Sequence, residues 1–186
     1  MPVFELGAAT GRLLIGSGSL SSDDSEISIS NLNFNYYTKF TVEFKDIVPS
    51  SDGADFSMSF LSGASVKSGT YEAGEWVHRM GSASTTTANN DTGATDVALS
   101  HNAGSGTDEN CEFDITITKL MGNKFNTLHW TGYRANSAGN KFNSIGRATL
   151  EETSATQADG FKVFFSTGDI EAGASWKVYA YRDNAA

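Results

Sequence analysis

Apolar and polar residues alternate with a period of two along several stretches of this chain, and that alternation restricts the fold more than any other feature. Phe40, Val42 and Phe44 are interleaved with Thr41, Glu43 and Lys45. Beyond the turn residues Pro49-Ser50-Ser51-Asp52-Gly53, Phe56, Met58 and Phe60 are interleaved with Asp55, Ser57 and Ser59. The pattern predicts an antiparallel pair with one dry face and one wet face. It returns at Cys111, Phe113, Ile115 and Ile117, at Phe161, Val163 and Phe165, and at Ala174, Trp176, Val178 and Ala180.

Fainter strand patterns run over Arg12 to Ile15, Ser25 to Ser30, Glu75 to Gly81, Thr95 to Leu99, Thr127 to Tyr133 and Ile145 to Glu152. The sum is roughly ten short strands. No stretch combines a 3.6-residue apolar period with helix caps, which predicts little or no helix. Nineteen glycines against two prolines, with Ser, Thr, Asn and Asp between the apolar stretches, fit many strands joined by many turns. At 186 residues the chain is predicted to form one domain over 1–186, an all-β antiparallel two-sheet sandwich of jelly-roll type. Ser82 to Ala94 and Ser100 to Asn110 are rich in Gly, Ser and Asn and read as surface loops. Residues 1–11 carry Val3, Phe4 and Leu6 without alternation and are predicted to form an N-terminal arm that contacts a neighbouring subunit.

A net charge of −9 argues against a nucleic-acid partner, which requires clustered Lys and Arg. No apolar run approaches the roughly 20 residues that span a bilayer, and Met1-Pro2-Val3-Phe4-Glu5 has neither region of a signal peptide. Cys111 is the single cysteine, so an internal disulfide is excluded and folding in a reducing cytoplasm is expected.

Chemistry-bearing patterns are few. His78, His101 and His129 lack the short spacing of a transition-metal site, and one cysteine cannot build a zinc cluster. Asp23, Asp24 and Glu26, Asp52 and Asp55, and Asn89, Asn90 and Asp91 are oxygen-rich. None has the ordered spacing of a calcium loop, and solvated turns explain them better. Gly16-Ser17-Gly18-Ser19 lacks the strand-turn-helix setting of a nucleophile elbow. Glu151 and Glu152 are adjacent and so point to opposite faces of a strand, unsuited to paired acid-base work. The expectation is a protein with no catalytic residues, no metal and no cofactor. Binding potential rests on aromatics: Trp76, Trp130, Tyr133, Trp176, Tyr179 and Tyr181 are the candidates for a subunit interface or a glycan-stacking surface. Along the last strand Trp176 and Val178 share one face and Tyr179 and Tyr181 the other, and bulk on both faces suggests a homo-oligomer contact.

The order of these segments resembles small jelly-roll virion proteins of tailed bacteriophages. The likeness is carried by Leu13-Leu14-Ile15-Gly16-Ser17-Gly18 followed by Ser25-Glu26-Ile27-Ser28-Ile29-Ser30, and then by the run from Asn31 to Phe44 with Ile47-Val48-Pro49. It is completed by Gly160-Phe161-Lys162-Val163-Phe164-Phe165, the loop Ser166 to Gly173, and Trp176-Lys177-Val178-Tyr179-Ala180-Tyr181. The resemblance implies a capsid decoration or cement protein, a head fibre, or a tail-fibre domain. Such proteins are made in the host cytoplasm, reside on the virion, and assemble as trimers or other symmetric oligomers beside partners such as the major capsid protein. It supplies no binding residues. The chain's compactness favours a decoration or cement protein, or a small head or tail surface component, over a complete fibre. A carbohydrate- or receptor-binding tail-fibre domain is the alternative, distinguished by an exposed aromatic beside polar groups in a shallow groove. A polysaccharide hydrolase would need two carboxylates about 5–9 Å apart in a cleft.

Overall fold

The computed structural model describes residues 11–33, 36–67, 69–80, 86–106, 108–119, 125–152 and 158–181. Residues 1–10, which make up nearly all of the expected N-terminal arm, lie outside the described residues. The described residues form thirteen strands: β1 (Arg12–Ser19), β2 (Glu26–Ile29), β3 (Lys39–Ile47), β4 (Ala54–Ser62), β5 (Ser65–Val66), β6 (Gly69–Arg79), β7 (Thr86–Ala94), β8 (Val97–Ala103), β9 (Cys111–Lys119), β10 (Phe125–Ala135), β11 (Lys141–Glu152), β12 (Gly160–Phe165) and β13 (Ser175–Tyr181). Among the described residues there is no helix. The strands form an antiparallel two-sheet sandwich. One sheet has eight strands in the order β1-β13-β3-β9-β10-β11-β6-β7; the other has five, β2-β12-β4-β5 with β8 also paired to β4.

The alternating segments account for the core. Phe40, Val42 and Phe44 of β3 and Phe113, Ile115 and Ile117 of β9 point inward from the large sheet. Phe56, Met58 and Phe60 of β4 and Phe161 and Val163 of β12 point inward from the small one. Phe56 sits at the centre, with its ring centroid 5.2 Å from both Phe113 and Phe165 and 6.1 Å from Phe44. Each such side chain contributes about 1.5–3 kcal/mol by leaving water.

Three expectations are corrected. The segments of β3 and β4, expected to form an antiparallel pair, lie in different sheets and face each other across the core, β3 pairing with β13 and β9 and β4 with β12, β5 and β8. The segment from Ser82 to Ala94, read as a loop, contains the edge strand β7, paired with β6 from Tyr71↔Ala94 to His78↔Thr86; its residues 82–85 lie outside the described residues. An edge strand is held by its backbone ladder, so a polar sequence can form one without announcing it through alternation. The segment from Ser100 to Asn110 begins inside β8, where Ser100 is fully buried, and only its remainder is loop. With β5, these additions raise the strand total above the expected ten.

The eight-stranded sheet is wider than its partner, so part of it overhangs. At the β1 edge Leu13, Leu14 and Ile15 are 54%, 52% and 40% exposed, although Leu13 lies opposite the fully buried Ala180. At the far side β6 has an unexpected register. Tyr71, Glu75 and Val77 are buried while Trp76 faces solvent.

Candidate functional site

The six candidate aromatics divide into three groups. Trp130 is 1% exposed and fills the space between the sheets, where its indole lies over Gly146 of β11; a Cβ on that glycine would overlap the ring. Trp130 is therefore removed from the list of stacking or interface residues, because its faces are already covered by the core. Trp176 is half-buried against the same core, with Gly18 of β1 beneath its ring.

Tyr179 and Tyr181 are on the outer face of the large sheet, as the alternation places them, but the chain's own cations cover them. The Arg12 guanidinium lies 3.4 Å from the Tyr179 ring centroid and pairs with Glu43, whose Oε2 accepts a hydrogen bond from the Tyr179 hydroxyl at 3.4 Å. Lys39 Nζ stands 4.7 Å from the Tyr181 ring centroid. The bulk on both faces of β13 is thus satisfied within the chain.

Trp76 and Tyr133 remain, and the sheet register brings them to one surface. Trp76 is 66% exposed and lies directly opposite Ile145, which is 63% exposed; Ile145 is in turn opposite Thr131. One step along, Tyr133 is opposite Asn143. With a strand spacing of about 4.8 Å and a rise of about 3.4 Å per residue, Trp76 and Tyr133 stand about 12 Å apart on the diagonal. An open groove of about 570 Å³ begins at Ile145 and Tyr133 and runs across β11, β10 and β9 to β3, on the side away from Trp76. Its apolar contribution comes from Tyr133 and Ile145. Its ionisable lining is Glu43, Glu112 and Asp114 against Lys45. The Asn143 amide donates to Met80 Sδ at 3.4 Å, a weak bond that a better acceptor would displace. Tyr133 also borders a second, larger basin of about 960 Å³ among the loops at one end of the sheet.

Of the groove carboxylates, Glu43 is held below the ordinary carboxylate range, chiefly by the hydrogen bond from Arg12. Among the described residues, no group of three or more His, Cys, Asp and Glu is placed to hold a metal ion. The acidic turn residues act as backbone acceptors: Asp52 from the Ser105 N–H at 2.8 Å, Asp23 from the Ala172 N–H at 2.9 Å, and Asp55 from the Asn102 N–H at 2.9 Å.

A charged cluster that the sequence reading missed sits where β4, β6, β8 and β10 meet. His101 Nδ1 is 3.3 Å from Asp55 Oδ2, and His101 Nε2 is 3.8 Å from Glu75 Oε2. Glu75 is buried. Arg134, also buried, donates from one terminal nitrogen to the Asn102 carbonyl at 3.4 Å and lies over the Phe142 ring. Its Nε has no hydrogen-bond partner among the described residues. Asp55 is held below its ordinary value chiefly by the hydrogen bond from His101. His101 is raised chiefly by the same bond, with burial opposing both. Burial lowers Arg134, against the pull of Glu75, Cys111 and Asp55. The sequence carries a trace of this cluster. Glu75 and Arg134 stand at inward positions of the series Tyr71-Ala73-Glu75-Val77 and Leu128-Trp130-Gly132-Arg134.

Cys111 is fully buried, and desolvation pushes its thiol up to about 12. The folded protein is expected to resist alkylation by iodoacetamide at pH 8, and the unfolded chain to react readily; mass spectrometry after a timed quench reads the difference.

No protein family matches the chain, and no curated protein matches it. Among solved structures, a likeness is found to arcelin-5, a lectin-like defence protein from Phaseolus vulgaris. It covers 92% of this chain and 86% of that one at 12% identity and a TM-score of 0.20. A TM-score that low carries no argument about either molecule.

Proposed function

We propose that this chain is a non-catalytic structural protein of a tailed-phage virion, a capsid decoration or cement protein or a small head or tail surface component, which packs against copies of itself and neighbouring virion proteins through the β1 edge. The observation that supports this reading is the exposed Leu13-Leu14-Ile15 run on an edge strand. An edge presents unpaired backbone groups, and although the ladder of β1 shifts register between Leu14 and Gly16, as a protective bulge does, the run around that shift is aliphatic and not charged. Here the strand offers aliphatic side chains on both of its faces, the chemistry of a surface meant to be covered. On a symmetric particle many modest contacts of this kind add up to firm retention, because each bound copy raises the effective concentration of the next.

A catalytic role is disfavoured by the same groove that gathers the carboxylates. A glycosidic general acid must be kept protonated near neutrality by burial, whereas Glu43 is held ionised by Arg12, and Glu112 and Asp114 are exposed to water.

The test has two arms. The protein is expected to co-purify with particles at fixed stoichiometry, and its absence from purified virions overturns the assignment. In isolation, light scattering is expected to report a symmetric oligomer. The triple substitution Leu13→Ser, Leu14→Ser, Ile15→Ser should weaken that oligomer by about two orders of magnitude or more, through lost apolar burial. A parent protein that is monomeric at every concentration removes the β1 edge from the argument.

A further inference from the structure

We infer that the outer face of the eight-stranded sheet, between Trp76 and Tyr133, is a binding site for an uncharged saccharide of about two rings. This goes beyond the structural role above and stands or falls separately from it.

Four observations converge on that class of ligand. First, Trp76 is 66% exposed in the middle of a strand, beside the equally exposed Ile145, although the buried face of β6 accepts a charged Glu75. Inverting that register would bury the indole and release the carboxylate, but Trp130 packed over Gly146 fixes Ile145 and its partner Trp76 outward, leaving an exposed indole whose cost a ligand on it would offset. Second, the groove beside it is shallow and open and lies over strands whose backbones are paired on both sides, β9, β10 and β11. A peptide cannot add to it as a strand. The apolar contribution of Trp76, Ile145 and Tyr133 is also too small for the dry centre of a protein interface. Third, the polar lining includes short acceptors and amphoteric groups, namely Glu112, Asp114, Thr131 and Asn143. A pyranose presents apolar C–H groups on one face for the indole and hydroxyl donors around its edge for the carboxylates. Fourth, charge selects against alternatives. The lining carries three carboxylates and one ammonium, on a chain of net charge −9. Sialylated, sulfated or phosphorylated ligands would meet like charge at close range, and so would the same face of a second copy.

The 12 Å separation of the two aromatics gives the site its length. Trp76 would hold one ring and Tyr133 the next, with Ile145 and Asn143 on the strand between them and Glu112 and Asp114 beyond Tyr133.

The test uses the full chain on an array carrying lactose, cellobiose, maltose and N-acetyllactosamine beside their sialylated and sulfated counterparts, followed by tryptophan-fluorescence titration with any sugar that scores. Signal is expected on the neutral arm. Trp76→Ala should weaken it about tenfold or more, and Tyr133→Ala by a smaller factor. Tyr36→Ala, an exposed aromatic outside the groove, should leave it unchanged. Because Trp76 projects into water, its removal should not unfold the chain; Ile145→Ser supplies an independent variant on the same platform, and thermal melts verify that both fold. No neutral sugar bound at millimolar concentration overturns the inference. So does binding that survives Trp76→Ala and Ile145→Ser, or a preference for the anionic arm. Particle association and oligomeric state are read separately, so a failure here leaves the virion assignment to its own test.

Discussion

Trp130→Ala is expected to destabilise the folded chain by about 3–5 kcal/mol, the cost of emptying an indole-sized volume at the centre of a packed sandwich. Trp130 is fully buried, and Gly146 opposite it has no side chain to collapse into the void. Because small domains hold only about 5–15 kcal/mol in reserve, the variant should melt roughly 10 °C or more below the parent. The more informative change is Trp130→Phe. The indole N–H is buried without a hydrogen-bond partner among the described residues, a donor whose desolvation costs about 1–3 kcal/mol. Phenylalanine removes that donor while keeping most of the ring volume, so its penalty should be much smaller than the lost volume alone implies. Chemical denaturation of the three proteins measures this. A Trp130→Phe variant as unstable as Trp130→Ala would mean that the indole nitrogen is satisfied after all. Any sugar binding should survive Trp130→Phe, since the ring lies on the opposite side of the sheet from the groove.

The same tryptophan shows where the sequence was legible and where it was not. The segments around Phe40, Phe113 and Phe161 alternate cleanly because both their inward and outward positions obey the simple rule, whereas around Phe56 the outward Ser57 and Ser59 are buried too; each segment appears in the structure as a core strand. In β6 and β11 the rule is broken twice in the same rows. Glu75 and Ser144 are inside, and Trp76 and Ile145 are outside. The cause lies in the neighbouring strand. Trp130 occupies the interior above Gly146, so β11 must present its glycine inward there and Ile145 outward, and the ladder then fixes Trp76 outward as the partner of Ile145. A local pattern cannot reveal a register that is set by a side chain on another strand. Equal weight given to Trp76, Trp130 and Tyr133 as candidate stacking residues follows from this. Composition identifies large aromatics, and only cross-strand pairing separates the one that fills the core from those that face water. The strand β7 was hidden for a different reason, since an edge ladder requires no apolar face.

The charged cluster provides the second large effect. Glu75→Ala is expected to cost about 3 kcal/mol, because it leaves the buried Arg134 guanidinium with Asp55 as its remaining carboxylate influence. The double variant Glu75→Met, Arg134→Met should recover most of that loss, since two buried opposite charges that act on each other contribute little beyond apolar groups of similar volume. The outer half of the cluster adds a pH signature. His101 is raised above its ordinary 6.5, so its contribution is complete below about pH 6.5 and is lost as pH climbs through its higher folded-state value. Asp55 is lowered from its ordinary 3.8, so its contribution is complete above about pH 4 and is lost as pH falls through its lower folded-state value. Both are present together between about pH 4 and 6.5, and stability should decline on either side of that window. The alkaline limb is worth at most about 1 kcal/mol, because Asp55 and His101 are each 40% exposed and water screens the pair. Two other titratable groups bear on the limb. The Cys111 thiol, pushed up to about 12, stays neutral throughout. His129 is lowered by burial and by Arg147, and so acts with the opposite sign, favouring the fold as pH rises. Urea midpoints measured from pH 5 to 8.5 in a His129→Gln background isolate His101. The midpoint should fall with rising pH in that background and lose most of its slope when His101→Gln is added. An equal slope in both proteins would show that the imidazole and Asp55 do not form a charged pair in solution.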